Sequence, residues 1–347
     1  MTDILARLPE VLLGWYDAGH RELPWRQDRE PYHVWVSEIM LQQTRVEAVK
    51  GYYSQFLAAL PTIADLAQCD DDVLHKLWEG LGYYSRVRNL KKSAVSIMEN
   101  HGGVFPGEYD AVRALPGIGD YTAGAICSIC FDLPTPAVDG NVLRVIARIT
   151  DNDTPIDLPA RKKAVQSQLA QVYPEDAGDF TQALMELGAT LCGPNRKPDC
   201  ENCPCQGFCL GHIRGTAQEL PVKLAKKGRK EEDLTVFILS CGEYRALRKR
   251  PDSGLLASLW EFPNIPGTLD AAGAVSWAAH MGLQPRDIRR TVQKNHIFTH
   301  IQWNMTGIYL EVSAMIPDYQ WFTVEQMKEK SALPTAFRKF LEDGNYV

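Results

Sequence analysis

The chain has no apolar run approaching the about 20 residues that a membrane-spanning helix requires, so a helical membrane anchor is not expected within it. Its first residues, Met1-Thr2-Asp3-Ile4-Leu5, have neither a basic region nor an apolar core of the secretory kind. A cytoplasmic protein in reducing surroundings is therefore expected. No lysine occurs between Lys92 and Lys162, which leaves that segment without an amine nucleophile. No glutamate occurs between Glu261 and Glu311, which denies that stretch a glutamate-lined helix for divalent metal. Internal repeats and low-complexity tracts are missing, and no convincing strand alternation precedes residue 230.

What is present describes a globular protein of two domains. The 347 residues are 45% hydrophobic and 23% charged, which excludes wholesale disorder. The formal charge of −6 argues against coating nucleic acid by electrostatics alone. A sum says nothing about placement, however: residues 1–200 are net acidic, whereas residues 201–250 are net basic and hold Lys223, Lys226, Lys227, Arg229 and Lys230.

Periodicity divides the chain at that basic stretch. Residues 1–191 read as successive helices, including segments at about 120–131, 140–150, 160–172 and 178–191, within a first domain that extends to 214. Thr44-Arg45-Val46-Glu47 has capping-box spacing, Asp72 leads into another helix, and Ser85 opens one that reaches Asn100 before His101-Gly102-Gly103. Residues 215–232 read as a linker. From 233 to 347 the period becomes two, with a hairpin around Cys241-Gly242-Glu243, a strand over 301–309, and helices at 270–281 and 334–343. The second domain is thus a small α+β unit.

Two acidic residues stand in chemically suggestive places. Leu115-Pro116-Gly117-Ile118-Gly119 precedes an apolar helical run, and two glycines around one apolar residue permit a tight turn with uncovered backbone N–H groups. Such groups at Gly117 and Gly119 can hold a phosphate without a cationic side chain, although a plain helix–turn–helix connection fits equally. Asp139 stands directly before a helical pattern, where an N-cap aspartate is the plainer reading. Glu38 lies amid apolar neighbours in Trp35-Val36-Ser37-Glu38-Ile39-Met40, either as a partly exposed bystander or as a carboxyl whose pKa is raised by desolvation.

Taken together, Leu-Pro-Gly-x-Gly and an aspartate some twenty residues on resemble the helix–hairpin–helix DNA glycosylase superfamily. Ser-Glu-Ile-Met-Leu-Gln-Gln-Thr from Ser37 is very similar to the adenine DNA glycosylase family within it. So are Leu23-Pro24-Trp25-Arg26, Gly80-Leu81-Gly82-Tyr83-Tyr84-Ser85-Arg86 and Val138-Asp139-Gly140-Asn141-Val142. The resemblance covers essentially the whole chain. It implies base-excision repair on double-stranded DNA with adenine opposite 8-oxoguanine or guanine, by a monomer that acts without a membrane. Glu38 would protonate N7 of the adenine, and Asp139 would stabilise the oxocarbenium-like sugar, either electrostatically or through a transient covalent bond. Tyr121 and Asn141 would line the sugar pocket, and Trp25, Arg26 and Gln182 would contact the everted base. Gln42, Gln43 and Tyr83 would occupy the duplex near the mispair. Strand-cutting relatives carry a lysine just after the hairpin, where this chain has Tyr121. The resemblance therefore implies a monofunctional enzyme; a bifunctional endonuclease III-like glycosylase/lyase and a silent Fe–S DNA-binding protein are the alternatives.

Five of the nine cysteines, Cys192, Cys200, Cys203, Cys205 and Cys209, crowd into one short segment, and in reducing surroundings they read as a metal site rather than disulfides. Cys192, Cys200, Cys203 and Cys209 give C-x7-C-x2-C-x5-C, with one C-x2-C pair instead of the two knuckles common in structural zinc sites. The pattern resembles a four-thiolate [4Fe–4S] ligand set, with Arg196 and Lys197 in its loop. It departs from the family by one extra residue in the first gap and by Cys205. The C-terminal part resembles a Nudix fold, but its missing glutamates imply recognition and not pyrophosphate hydrolysis. Phe298-Thr299-His300 matches the family's 8-oxoguanine-sensing loop; without the family, the same residues would read as a strand-end aromatic and a surface histidine. The expected fold class is a mainly α-helical glycosylase domain with an Fe–S loop plus a small Nudix-like α+β domain.

Overall fold

The computed structural model describes residues 2–194, 197–225 and 228–341; Arg196, Lys226, Lys227 and the end of the helix expected at 334–343 lie outside the described residues. The chain forms two compact units, Met1–Gln68 with Arg88–Ala225 and Cys69–Val87 with Lys226–Val347.

The first unit is helical throughout its described residues, as the 3.6-residue periodicity predicts. The helices Leu8–Gly19, Gly140–Ile149, Pro159–Ala170 and Ala177–Ala189 pack around one apolar core, and Asp120–Phe131 packs against both Ala177–Ala189 and Pro31–Leu41. Gly140–Ile149 is its most enclosed member, with every residue from Val142 to Ile149 buried. Enclosure extends to two cations. Arg144 donates to the carbonyls of Cys192 (2.8 Å) and Gly188 (2.9 Å), and Arg148 donates to those of Cys192 (3.1 Å) and Leu220 (2.9 Å). Buried guanidinium groups are tolerated when carbonyls replace their lost water, so these bonds fasten the helix to the cysteine segment.

Two expected helix starts shift. The helix Val46–Ala59 is capped at Arg45, and the Thr44 hydroxyl donates to the Gln42 carbonyl (3.4 Å) in place of a capping box. Gln43, at φ +59°, turns the chain before Thr44 can reach the new helix's first N–H groups. The next acidic start is capped by Asp70 and not Asp72: Asp70 accepts from the N–H groups of Asp72 (2.9 Å) and Val73 (3.2 Å), so Asp72 falls in the first turn.

The second unit is a mixed sheet with helices against it. Its strands are β1 (Lys230–Cys241), β2 (Tyr244–Lys249), β3 (Trp260–Glu261), β4 (Asn264–Pro266), β5 (Pro285–Ile297), β6 (Ile301–Val312) and β7 (Gln320–Phe322). They lie in the order β3-β2-β1-β6-β5, with β4 on β1 and β7 on β2. The expected hairpin is β1–β2, closing with Cys241 opposite Tyr244. β1 shows the period of two directly. Leu234, Val236 and Ile238 face an apolar layer containing Phe337 and Phe340, whereas Phe237 and Leu239 face the helix Ala271–His280 on the other side.

One glycine fixes the approach to the first unit's interior. A Cβ on Gly124 would lie 2.6 Å from the Pro136 carbonyl oxygen, so the helix Asp120–Phe131 touches the segment leading to Asp139 backbone to backbone. Gly124→Ala is expected to lower stability by about 1–3 kcal/mol despite alanine's better helix propensity. Urea denaturation of both proteins measures it, and an unchanged or raised midpoint would show that this contact yields freely.

Candidate active site

Helix positions bring two carboxyl groups to one cleft. Pro31 at the first turn of the helix Pro31–Leu41 starts a run in which every residue from Tyr32 to Met40 except His33 is buried. Glu38 belongs to that run and is only 5% exposed. Its Oε2 accepts a hydrogen bond from the Tyr121 hydroxyl at 2.6 Å. Burial pushes the Glu38 carboxyl up to about 7; the Tyr121 hydrogen bond and Arg26 pull it down, and Asp139 adds to the rise. Tyr121 itself is pushed well above the ordinary tyrosine range by burial and by both carboxylates, so its hydroxyl stays a donor at neutral pH.

Asp139 fulfils the plainer reading and lines the cleft as well. It caps the helix Gly140–Ile149, accepting from the N–H groups of Asn141 (2.9 Å) and Val142 (2.8 Å). The Asn141 side-chain amide donates to its other oxygen at 2.7 Å. Burial raises its pKa, while these three hydrogen bonds and the charge of Arg144 favour the ionised form. Buried Glu38 and half-buried Asp139 thus line one cleft with different support: one hydroxyl donor for the first, three N–H donors for the second.

The cleft measures about 640 Å³. It brings together Trp25, Arg26, Gln42, Gln43, Gln182 and Asn141 with Glu38, Tyr121 and Asp139. Trp25 is held edge-on by Tyr53, with ring centroids 5.6 Å apart. Arg26 does not stand free. Its Nη2 donates to Glu186 at 2.9 Å, and Glu186 also takes two bonds from Arg21, at 2.6 and 2.8 Å. Sequence reading singled out neither Glu186 nor Arg21 as a site residue. Glu186 stands four residues after Gln182 on the same helix, a spacing that puts both on one face.

The glycine turn lies between the helices Tyr109–Ala114 and Asp120–Phe131. Gly117 has φ +76°, and a Cβ there would lie 2.6 Å from Asn89, so this position needs glycine twice over. Gly119 is the N-cap of the second helix. Arg113, the nearby cation, is paired with Asp120 at 2.5 Å. Among the described residues no backbone hydrogen bond takes up the N–H of Gly117 or Gly119.

The remaining predicted residues fall in the second unit. Tyr83 is 46% exposed at φ +47°, which rules out the core-aromatic reading, whereas its neighbour Tyr84 is buried. The Tyr83 hydroxyl bonds the Thr299 hydroxyl at 2.9 Å. Phe298, Thr299 and His300 form the turn between β5 and β6, with Phe298 edge-on to Trp303 (4.9 Å) and both Thr299 and His300 exposed. Glu261 is buried and paired with Arg248 (2.9 Å) and Arg250, and the helix Ala271–His280 carries no carboxylate.

Cys192, Cys200, Cys203 and Cys209 line one small void of about 20 Å³ with Cys205, and all are free thiols. Arg148 donates to the Cys192 sulfur at 3.2 Å. Among the described residues no three His, Cys, Asp or Glu side chains are grouped to hold a single metal ion.

Comparison with known proteins agrees with this geometry. Residues 36–175 match the HhH-GPD superfamily of base excision DNA repair proteins, and residues 235–343 match the NUDIX domain. The adenine DNA glycosylase of Rattus norvegicus is 35% identical over 399 residues, covering 94% of this chain and 76% of the relative. That of Homo sapiens is also 35% identical, covering 94% of this chain and 72% of the relative. A thermostable thymine-DNA glycosylase structure superposes with a TM-score of 0.55 at 28% identity, covering 61% of this chain and 98% of that one. A trapped endonuclease III–DNA intermediate, at 20% identity and a TM-score of 0.52, shares the fold over 62% of this chain and 98% of its own. The chain belongs to the adenine DNA glycosylase family, the base-excision repair enzymes that release adenine from DNA.

Proposed function

We propose that this enzyme hydrolyses the N-glycosidic bond of adenine mispaired with 8-oxoguanine or guanine, in a single activity without strand cleavage. The observation that carries the reading is the pair of carboxyl groups in one cleft, Glu38 buried and raised to about 7, Asp139 half-buried and supplied with three N–H donors. Adenine is a poor leaving group until a ring nitrogen is protonated. Glu38, raised to about 7 and so still partly protonated at neutral pH, donates its proton to N7 of the everted base. As the bond breaks, positive charge develops on the sugar, and Asp139 stabilises it across the cleft. Tyr121 holds Glu38 in place, Asn141 holds Asp139, and Trp25, Arg26 and Gln182 face the base. Lysine is lacking from Lys92 to Lys162, so no amine near the hairpin is available to attack the sugar carbon and cut the strand.

DNA is gripped at the hairpin by the N–H groups of Gly117 and Gly119. Gln42, Gln43 and the exposed Tyr83 fill the gap left by base eversion, where a flat ring replaces lost stacking. Phe298, Thr299 and His300 read 8-oxoguanine on the opposite strand, the Nudix-like unit acting in recognition alone because no glutamate lies between Glu261 and Glu311 and the helix Ala271–His280 carries none for metal. Cys192, Cys200, Cys203 and Cys209, brought to one void, fit a [4Fe–4S] ligand set. When bound, that cluster supplies a fixed shape to the loop that Arg144 and Arg148 grip. Among the described residues no helix is long and apolar enough to cross a membrane. The protein acts as a monomer in the cytoplasm.

Single-turnover incubation with an A:8-oxoguanine duplex should give strand breaks only after alkali. Breaks without alkali would establish a lyase, and none at all a silent DNA-binding protein. Glu38→Gln should bind the same duplex as tightly as the parent yet release no adenine; a large loss of affinity would make Glu38 structural. The same variant probes the buried carboxyl directly. A raised folded-state pKa contributes stability below the unfolded value and loses it as pH rises to about 7. Stability of the parent relative to Glu38→Gln should therefore fall by on the order of 3 kcal/mol between pH 4 and pH 8, read by chemical denaturation. His300→Ala should erode the preference for adenine opposite 8-oxoguanine over adenine opposite guanine, and an unaltered ratio would remove it from the sensing loop. Anaerobically purified protein should contain iron and sulfide; zinc alone would replace the cluster assignment.

A further inference from the structure

Glu186 is a buried acidic residue that does not line the cleft itself but holds two arginines that do, and base release as described assigns it no task. Its side chain is 2% exposed. Oε1 accepts from Arg21 Nε at 2.6 Å and, more distantly, from the Arg21 backbone N–H at 3.4 Å; Oε2 accepts from Arg21 Nη2 at 2.8 Å and from Arg26 Nη2 at 2.9 Å. The two-pronged contact with Arg21 fixes the carboxylate plane. Arg26 is buried and held at two further points. Its side chain is 8% exposed, its Nη1 donates to the Arg21 carbonyl at 3.1 Å, and its guanidinium lies 5.5 Å from the Tyr16 ring centre. Arg21, Arg26 and Glu38 line the same cleft.

A buried guanidinium beside Glu38 works against the proposed reaction, because a cation favours the ionised carboxylate and so removes the proton the base needs. The groups that act on Glu38 are Arg26 from the short helix Pro24–Arg26, Tyr121 and the Cys130 thiol from the helix Asp120–Phe131, and Asp139 at the start of Gly140–Ile149. Among these Arg26 is the one cation. Glu186 reaches Glu38 only through it.

We propose that Glu186 is a positioning residue for base release: by clamping Arg21 and Arg26 to the cleft wall it gives Arg26 a fixed place and a counter-charge, so that this cation can face the everted base while Glu38 remains protonated. The proposal rests on the reading of Glu38 as the proton donor. It assigns the four charged groups an order: Arg21 orients Glu186, Glu186 compensates Arg26, and Arg26 is left to meet the base without ionising the acid.

The test is the pH profile of single-turnover adenine release by the full-length, cluster-containing protein on an A:8-oxoguanine duplex. The protonated form of Glu38 is the active one, so the rate falls on the high-pH side of its pKa. Glu186→Gln leaves Arg26 uncompensated and should move that midpoint down by about one pH unit. Glu186→Asp, which keeps the charge, should leave the midpoint near that of the parent. Arg26→Gln removes the cation and should move it upward, an arm that remains readable if Glu186→Gln does not fold. Melting temperatures taken alongside separate positioning from support. Lower melting with an unmoved midpoint in Glu186→Gln, or no upward movement in Arg26→Gln, would overturn the proposal. A parent protein that releases no adenine at any pH would instead overturn the functional reading beneath it.

Discussion

Everything in the first unit answers to the removal of water from one carboxyl group. A glutamate in solution is ionised at neutral pH, and burial, with a smaller contribution from Asp139, carries Glu38 to about 7. Desolvation of that depth needs a helix buried along nearly its whole length, and the sequence Tyr32-His33-Val34-Trp35-Val36-Ser37-Glu38-Ile39-Met40 provides one. The Tyr121 hydroxyl, which donates to Oε2 at 2.6 Å, fixes the carboxyl in place but works against that rise, and burial outweighs it. A lysine at position 121 would add a full positive charge and favour the ionised form further.

Asp139 meets the opposite demand within the same cleft. Its carboxylate is directed at the N–H groups of a helix N-terminus, where donors and dipole both favour negative charge. That arrangement is only as rigid as the helix behind it. Arg144 and Arg148 come from the buried face of Gly140–Ile149 and seize the carbonyl of Cys192 together. The aspartate's helix and the cysteine segment are consequently one mechanical piece. A disturbance of the thiol loop would be felt at Asp139 through two guanidinium groups, without any direct contact between thiol and carboxylate.

What could be read from the residues, and what could not, follows the range of the interactions. Helices at 120–131, 140–150 and 178–191 were legible because each is set by local signals: glycine or aspartate at the start and apolar residues at helical spacing. The Thr44 cap misled because its spacing is right while Gln43's left-handed turn, a tertiary outcome, puts the hydroxyl elsewhere. Three consecutive aspartates, Asp70 to Asp72, offer equal caps, and only the packing of the helix selects the first. Strand β5 escaped notice because Arg286, Asp287, Arg289 and Arg290 break the apolar alternation on an edge strand that faces solvent. The Arg21–Glu186–Arg26 group joins residues more than 150 positions apart, and no local pattern announces it.

The net acidity now has a structural account. An acidic first 200 residues and a DNA substrate are compatible when phosphate is met by backbone N–H groups, which carry no formal charge. The hairpin shows how thoroughly this is arranged: Arg113, the cation beside the turn, is neutralised by Asp120, while the N–H groups of Gly117 and Gly119 have no backbone acceptor among the described residues. Inside the cleft the same economy of free charge recurs, since Arg26, which the base would meet, is already paired with Glu186. A carboxyl that keeps its proton near pH 7 is disfavoured by uncompensated cations, and beside Glu38 the pairing of Arg26 with Glu186 supplies the compensation.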